Sequence, residues 1–256
     1  MCTLIVLRRP GHDWPLIVAA NRDENRDRPW TAPGRHWPDR DHIVAGRDDM
    51  AHGTWLGVND DGLIAGVLNR SGTLGPDPDL RSRGELPLEA LDHAEAHVAA
   101  AALEGLEPLA YRPFNLFVGD AHRAFWVCSI DENGAPGMRV QEIPDGVSML
   151  TDRDLNDPAS PRVRLYLPRF ETAPPPDPEK ADWGWWQALL ADKEFEPGVG
   201  PRGAMNIDLP TAPIGNFGTV SSSLIALPAR LSPDRKWRWL FAAGAPDTAP
   251  FEPIEA

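Results

Sequence analysis

Two apolar, β-branched runs at the start of the chain, residues 2–7 and 16–20, are separated by the turn Pro10-Gly11-His12-Asp13. Apolar runs of this length bounded by turn residues predict an antiparallel hairpin. A second hairpin follows at residues 54–59 and 63–69, around Asp60-Asp61-Gly62, where Gly62 can take a positive φ. Short apolar runs recur at 114–118, 124–130 and 147–150, the middle one closed by Asp131-Glu132-Asn133-Gly134, and again at 219–227 and 236–242. Between them, residues 86–103 are Ala-rich, with Pro87 suited to a first helical turn, and predict a helix. Residues 158–170 contain a short helix, 172–178 a Pro-rich linker, 179–192 another helix, and 198–213 a long Gly- and Pro-rich loop. Runs of strands interrupted by helices, without regular βαβ alternation, predict an α+β fold of antiparallel sheets with helices packed outside.

Composition narrows the function classes. The 256 residues can bury a substantial core, and a formal charge of -13 opposes binding to nucleic acid or to an anionic membrane. The N-terminal apolar run spans only residues 4–7, with Arg8-Arg9 after it, so neither a signal peptide nor a membrane insertion is expected. Two cysteines, Cys2 and Cys128, make no disulfide framework, and the cytoplasm is the expected compartment.

The chemistry-bearing candidate is Cys2. Removal of Met1, favoured by a small second side chain, would expose a thiol and a free α-amine on one residue. With reference pKa values of about 8.5 and about 7.7 to 8.0, the pair can exchange a proton and supply nucleophile and base together. The second strand ends Ala19-Ala20-Asn21-Arg22-Asp23-Glu24, where the strand period puts Asn21 and Asp23 on one face and Arg22 on the other. Asp23 could hold the ammonium or the thiol proton, or be a solvated strand end. Asn69 closes the second hairpin and is either an oxyanion donor or a turn cap.

Met-Cys-Thr at the start, Ala-Asn-Arg-Asp-Glu at 20–24, Gly46-Arg47-Asp48, Gly-Thr-Trp-Leu-Gly at 53–57 and Leu68-Asn69-Arg70 together resemble the NRDE family, also called the transport and Golgi organisation family. That family is related to the N-terminal nucleophile hydrolases. The resemblance implies one domain over residues 1–256, folded as a four-layer αββα sandwich. It assigns catalytic roles to Cys2, Asn21, Asp23 and Asn69, and substrate contacts to Arg22, Trp55, Arg70 and Asp152. It departs from the related amide hydrolases at three places: Ala20 and Val220 stand where arginines are common, and Asp152 where an amide donor is expected. The activity implied is an amidohydrolase or acyltransferase acting on a small amide or acyl substrate, without a cofactor. The alternative implied is a carrier of haem or a lipid or acyl-CoA ligand, with His52 a candidate haem ligand.

Other features carry weaker chemistry. His93 and His97, four apart with Glu89 one turn earlier, have metal-bridging spacing, but no third ligand is evident and a solvated helix face explains them. Cys128 lies in an apolar strand as a core thiol, and Trp183, Trp185 and Trp186 read as helix-docking core rather than a ligand groove. Asn206-Ile207-Asp208 either lines a site mouth or is plain loop.

Overall fold

A computed structural model of the chain describes residues 2–75, 77–132, 135–212 and 215–255. The chain runs through β1 (Thr3–Arg8), β2 (Leu16–Asn25), β3 (Trp30–Gly34), β4 (Ile43–Asp48), β5 (Leu56–Asn59), β6 (Ile64–Asn69), α1 (Glu85–Leu91) and α2 (Ala96–Glu104). It continues through β7 (Phe114–Gly119), β8 (Ala124–Glu132), β9 (Ala135–Glu142), β10 (Gly146–Leu150), α3 (Pro161–Thr172) and α4 (Gly184–Leu190). The last strands are β11 (Asp208–Ala212), β12 (Gly215–Leu227), β13 (Arg238–Ala242) and β14 (Phe251–Ile254).

One antiparallel sheet has the order β10-β1-β2-β12-β13-β14, with β11 also paired to β12, and the other runs β3 to β9 in sequence order. Alternation along the strands sorts three apolar layers. Leu4, Val6, Leu16 and Val18 face Val44, Leu56, Val58, Leu68 and Trp126 between the sheets. Ile5, Ile17 and Ala19 point outward onto Val163, Tyr166 and Phe170 of α3 and Trp186 and Leu190 of α4. Ile43, Ala45, Leu116 and Val118 point outward from the second sheet onto Leu88 and Leu91 of α1 and Ala99 and Leu103 of α2. The result is the expected four-layer αββα sandwich, α+β in class.

Both expected hairpins form, the first with Thr3 opposite Asn21 and Leu7 opposite Ile17. Four local differences have physical causes. The helix expected over 86–103 is two helices, because the extended backbone at Glu95 interrupts the helical hydrogen-bond ladder between Leu91 and Ala96. His93 and His97 therefore do not share one helix face, and His97 instead lies 3.2 Å from Glu95. Strand β9 is largely polar, β3 carries Pro33 and Gly34, and the apolar run of β4 is only Ile43 to Ala45, so pairing with neighbours supplies much of their order. In the expected loop at 198–213, β11 pairs with β12. Of the turn expected at 131–134, Asp131 and Glu132 belong to β8, and Asn133 and Gly134 lie outside the described residues. Cys128, Trp183 and Trp186 are buried as expected, whereas Trp185 is 61% exposed.

Asn115, fully buried on β7, ties the end of β10 to the second sheet. Its Nδ2 donates to the carbonyls of Thr151 (2.8 Å) and Arg153 (2.6 Å), and its Oδ1 accepts from Arg70 Nη1 (2.7 Å) and Trp126 Nε1 (3.0 Å). Replacing it removes the partner of four polar groups, of which the Thr151 carbonyl and the Trp126 Nε1 are in buried bonds. Asn115→Ala is expected to lower unfolding free energy by about 3 kcal/mol or more, read from urea denaturation at unchanged m-value.

Candidate functional site

In β1 and β2, even-numbered side chains face the second sheet and odd-numbered ones face α3 and α4. The register that sets Thr3 against Asn21 sets Cys2, one residue further, against Arg22. Cys2 is half-buried at the edge of the inter-sheet core, with its Sγ 3.6 Å from the Asp23 main-chain carbonyl. Burial pushes its thiol above the ordinary value, and the charges of Asp23 and Glu24 act in the same direction.

A cavity of about 210 Å³ opens at Cys2, lined by Arg22, Glu24, Arg28, Asp48, Trp55, Asn69, Arg83 and Arg112 among others. Arg22 is 6% exposed and lies over the Trp55 ring, 4.1 Å from its centroid. Its Nη2 donates to Asp48 Oδ2 (3.2 Å), while its Nη1 is buried with no hydrogen-bond partner. Asp48 also takes Arg28 in a two-point contact, Nε to Oδ2 (2.6 Å) and Nη2 to Oδ1 (3.0 Å), and the Met50 and Ala51 N–H groups. Burial raises its carboxyl, but these donors outweigh it and hold the group below the usual carboxylate range. Gly46 makes room for Trp55, since a Cβ there would lie 2.3 Å from the indole ring.

Among the described residues the Asn69 side chain makes no hydrogen bond, and it lines the cavity at the end of β6. A narrow apolar slot runs from Cys2 between the sheets, past Leu4, Ala20, Leu56, Val67 and Leu68. Ala20 is part of that slot, so the position where an arginine is common leaves it uncharged.

The model of the family described as TANGO2, Transport and Golgi organisation 2, matches residues 1–174. The chain belongs to this family. No curated protein matches the sequence. Solved structures do match in fold. A Caenorhabditis elegans N-acylethanolamine-hydrolyzing acid amidase orthologue is 12% identical, over 99% of this chain and 100% of that one, with a TM-score of 0.50. A cysteine-to-alanine mutant of conjugated bile acid hydrolase from Clostridium perfringens is 9% identical, over 100% and 97%, with a TM-score of 0.53. An arginine-to-leucine variant of that hydrolase gives 9%, 100%, 97% and 0.54. The fold of this TANGO2-family chain is therefore that of the N-terminal nucleophile hydrolases.

The other site residues expected in the TANGO2-family chain divide into those at the cavity and those that serve elsewhere. Arg22, Trp55 and Asn69 meet Cys2 at the cavity. The Asn21 amide is spent behind the sheet, donating to the carbonyls of Leu190 (2.9 Å) and Met205 (3.0 Å) and accepting from Ser222 Oγ (2.6 Å). That side chain anchors α4 and the loop before β11, while the residue itself lines the apolar slot at Cys2. The Asp23 carboxylate also turns to the helical layer, where Arg162 Nη1 (2.9 Å) and Thr219 Oγ1 (2.7 Å) donate to it. The thiol thus meets the carbonyl of Asp23, not its carboxylate.

Arg70 is expected at the substrate but is held by Asn115 and by Asp154 Oδ1 (2.6 Å), and with Asp152 it lines a separate cavity. One residue past Asn69, the chain has left β6, and this ion pair fixes its direction. Asp152 Oδ1 is buried without a partner. Val220 is the extra residue of a β-bulge, between Thr219 opposite Asp23 and Ser221 opposite Arg22. His52, outside the cavity lining, is exposed in a turn with φ 58°. Asn206 is buried beside Asp247, whose Oδ1 accepts from its Nδ2 (2.7 Å), and it lines a different cavity with Asp208. Sequence reasoning did not single out Glu24, Arg28, Arg83 and Arg112 as site residues. The Arg81-Ser82-Arg83 pattern before α1 was the available signal for one of them. Among the described residues no cluster of His, Cys, Asp or Glu could hold a metal ion, and no helix is long and apolar enough to cross a membrane.

Two outcomes follow. Arg162→Met removes the guanidinium paired with the fully buried Asp23 carboxylate and is expected to cost about 3–5 kcal/mol in chemical denaturation. In the chain that keeps Met1, the rate of Cys2 alkylation by iodoacetamide is expected to rise with pH through a midpoint above about 8.5, because the raised pKa delays thiolate formation to higher pH.

Proposed function

We propose that the protein is an N-terminal cysteine amidohydrolase or acyltransferase, acting on carbon–nitrogen bonds other than peptide bonds in a small amide or acyl substrate. The observation that carries this reading is the meeting, in one cavity, of the Cys2 thiol with an unspent Asn69 amide and the unpartnered Nη1 of Arg22. Removal of Met1 frees the Cys2 α-amine, which takes the thiol proton; the raised pKa of the buried thiol makes that internal base necessary at neutral pH. The thiolate attacks the substrate carbonyl. Asn69 and Arg22 Nη1 donate to the developing oxyanion, so that Arg22 supplies what Asp152, acceptor-only when ionised, does not.

As the tetrahedral species collapses, the α-ammonium protonates the leaving amine and a Cys2 thioester remains. Water, or an acceptor amine in transfer, then gives its proton to the α-amine, attacks the thioester and returns the thiol. Asp23 lies in the strand next to the residue opposite Cys2, and Arg162 and Thr219 fix its side chain. It acts here as a positioning residue for the N-terminus. Expulsion of the leaving group into the arginine-lined side and retention of the acyl chain in the apolar slot fit the division between the two cavities.

A second reading, non-catalytic carriage of an apolar ligand such as a lipid, acyl-CoA or haem, is favoured by the raised thiol and the apolar slot at Ala20. For haem the cavity offers Cys2 as an axial ligand and no histidine among the described lining residues.

Intact mass spectrometry separates the readings. The purified chain is expected to lack Met1 and to gain an acyl mass on Cys2 during incubation with an acyl-amide panel. That adduct is expected to be absent in Cys2→Ser, slowed in Asp23→Ala, and slowed by about 100-fold in Asn69→Ala. Retention of Met1 sinks the amine-as-base mechanism. A Soret band on haem titration without any adduct favours the carrier.

A further inference from the structure

Buried hydroxyls in this fold have partners. Ser129 Oγ accepts the Phe114 N–H (3.0 Å), Thr151 Oγ1 donates to Ser160 Oγ (3.2 Å), and Ser222 Oγ donates to Asn21 Oδ1 (2.6 Å). Ser221 and Ser223 are different. They are 1% and 2% exposed, and among the described residues theirs are the buried serine and threonine hydroxyls without a hydrogen bond. Both residues line the slot that begins at Cys2. Pairing of buried polar groups is the rule, so two unpaired hydroxyls in one slot call for an occupant that bonds them.

Their position follows from the register of β12. Leu224 and Ala226 face the helices while Ile225 and Leu227 face the second sheet, so the strand period puts Ser221 and Ser223 on the inter-sheet face with Cys2. Ser221 lies opposite Arg22, and Ser223 opposite Ala20, which is itself opposite Leu4. Two rows therefore cross the sheet, one running from Cys2 through Arg22 to Ser221 and the other from Leu4 through Ala20 to Ser223. A long side chain at position 20 would fill the space between them; the Ala20 methyl leaves it open. Two strand spacings of about 4.8 Å separate the backbones of Cys2 and Ser221. With the reach of both side chains, this leaves a chain of a few atoms between a carbonyl at the thiol and a polar group at the hydroxyls.

The slot is small and firmly walled. Its volume is about 20 Å³, where a cavity needs about 10–15 Å³ to hold one water. Its occupant is therefore short. Trp30 packs edge-on against both Trp55 and Phe241, with ring centroids 5.9 Å apart in each pair, and Phe241 lies opposite Ser223 on β13. The approach to Trp55 is pinned as well: a Cβ on Gly53 would lie 2.4 Å from the Gly84 carbonyl carbon, and the Thr54 N–H donates to the Gly84 carbonyl (2.8 Å). This Gly53–Gly84 crossing and the aromatic clamp set the width of the gap at the hydroxyls. A serine hydroxyl is neutral and both donates and accepts, so it pairs a hydroxyl or oxo group without the desolvation penalty of a buried charge.

We propose that this slot is the subsite for a short acyl group ending in a neutral hydroxyl or oxo group, its carbonyl at Cys2 and its terminal oxygen bonded by Ser221 and Ser223. The placing of the carbonyl rests on the nucleophile reading above; the pairing with the two hydroxyls does not.

The test is protection of Cys2 against iodoacetamide, read by peptide mass, in titrations with γ-hydroxybutyramide and with valeramide, which carries a methyl where the first carries the hydroxyl. Cys128 is fully buried and serves as internal control. In an apolar slot the methyl-ended chain binds better. Here the hydroxyl-ended amide is expected to protect at about tenfold lower concentration, and the preference is expected to reverse in the Ser221→Ala/Ser223→Ala chain. Ser222→Ala, on the opposite face of β12, is expected to keep it, and octanamide is expected to protect no better than valeramide.

Should the double substitution fail to fold, the isostere comparison on the native chain and the single serine variants give the same reading. Equal or better protection by valeramide, a preference that survives loss of both hydroxyls, or protection that grows through octanamide overturns the proposal. Better protection by succinamate assigns a charged occupant and overturns it too. Serine substitutions that change stability but not preference leave the hydroxyls a structural water and overturn it likewise. None of these readouts needs turnover. An intact hydroxyl preference without a Cys2 thioester sinks the hydrolase reading alone, and a thioester formed equally from both amides sinks only the slot assignment.

Discussion

The register that sets Thr3 against Asn21 is the constraint on which the site depends. Because side chains alternate along a strand, this one pairing decides that Cys2 and Arg22 share the face toward the second sheet, while Thr3, Asn21 and Asp23 share the face toward the helices. A slip by one residue would bury the thiol under α3 and α4 and send Asp23 into the cavity. The register is protected on both faces. Ile5, Ile17 and Ala19 are committed to the helical layer and Leu4, Leu16 and Val18 to the inter-sheet layer, so a slip would exchange two packed apolar sets at once.

Behind the strands, a buried polar network completes that commitment. Arg162, on the first turn of α3, reaches Thr3 Oγ1 and the Asp23 carboxylate, and Thr219 closes the far side by donating to Asp23 and accepting the Ile207 N–H. Helix α3 and strand β12 are thus tied to β2 through one carboxylate at the head of β1. In front of the strands, Asp48 gathers Arg22 and Arg28, which keeps the cationic side chain beside Cys2 stacked on Trp55 rather than free to swing. The two carboxylates have opposite settings, one joining sheet to helix and the other shaping the cavity.

Much of this was legible in the sequence because it is local. The hairpins, the Gly62 turn and the opposed faces of Arg22 and Asp23 follow from strand period and turn chemistry, and each is where that chemistry puts it. What the sequence did not reveal depends on partners far along the chain. Asn21 and Arg70 carry the right chemistry for a site, but Leu190, Met205 and Asp154, more than eighty residues away, claim their hydrogen bonds. Arg83 and Arg112 become neighbours only through the carbonyl of Gly75, which both approach, and no spacing rule announces that. Strand β9 escaped notice because its residues are polar and its pairing with β8 supplies the order.

The Gly53–Gly84 crossing has a further consequence. The nucleophile and its strand neighbours belong to the rigid sandwich, whereas Arg83 is delivered by a separate connection between β6 and α1 that is pinned where the two glycines touch. The thiol and the cationic rim of the cavity are therefore set by different parts of the polypeptide. Residues 77–84 can be rebuilt by design as an interchangeable cassette that leaves the head of β1 untouched, provided the glycine contact survives at its end.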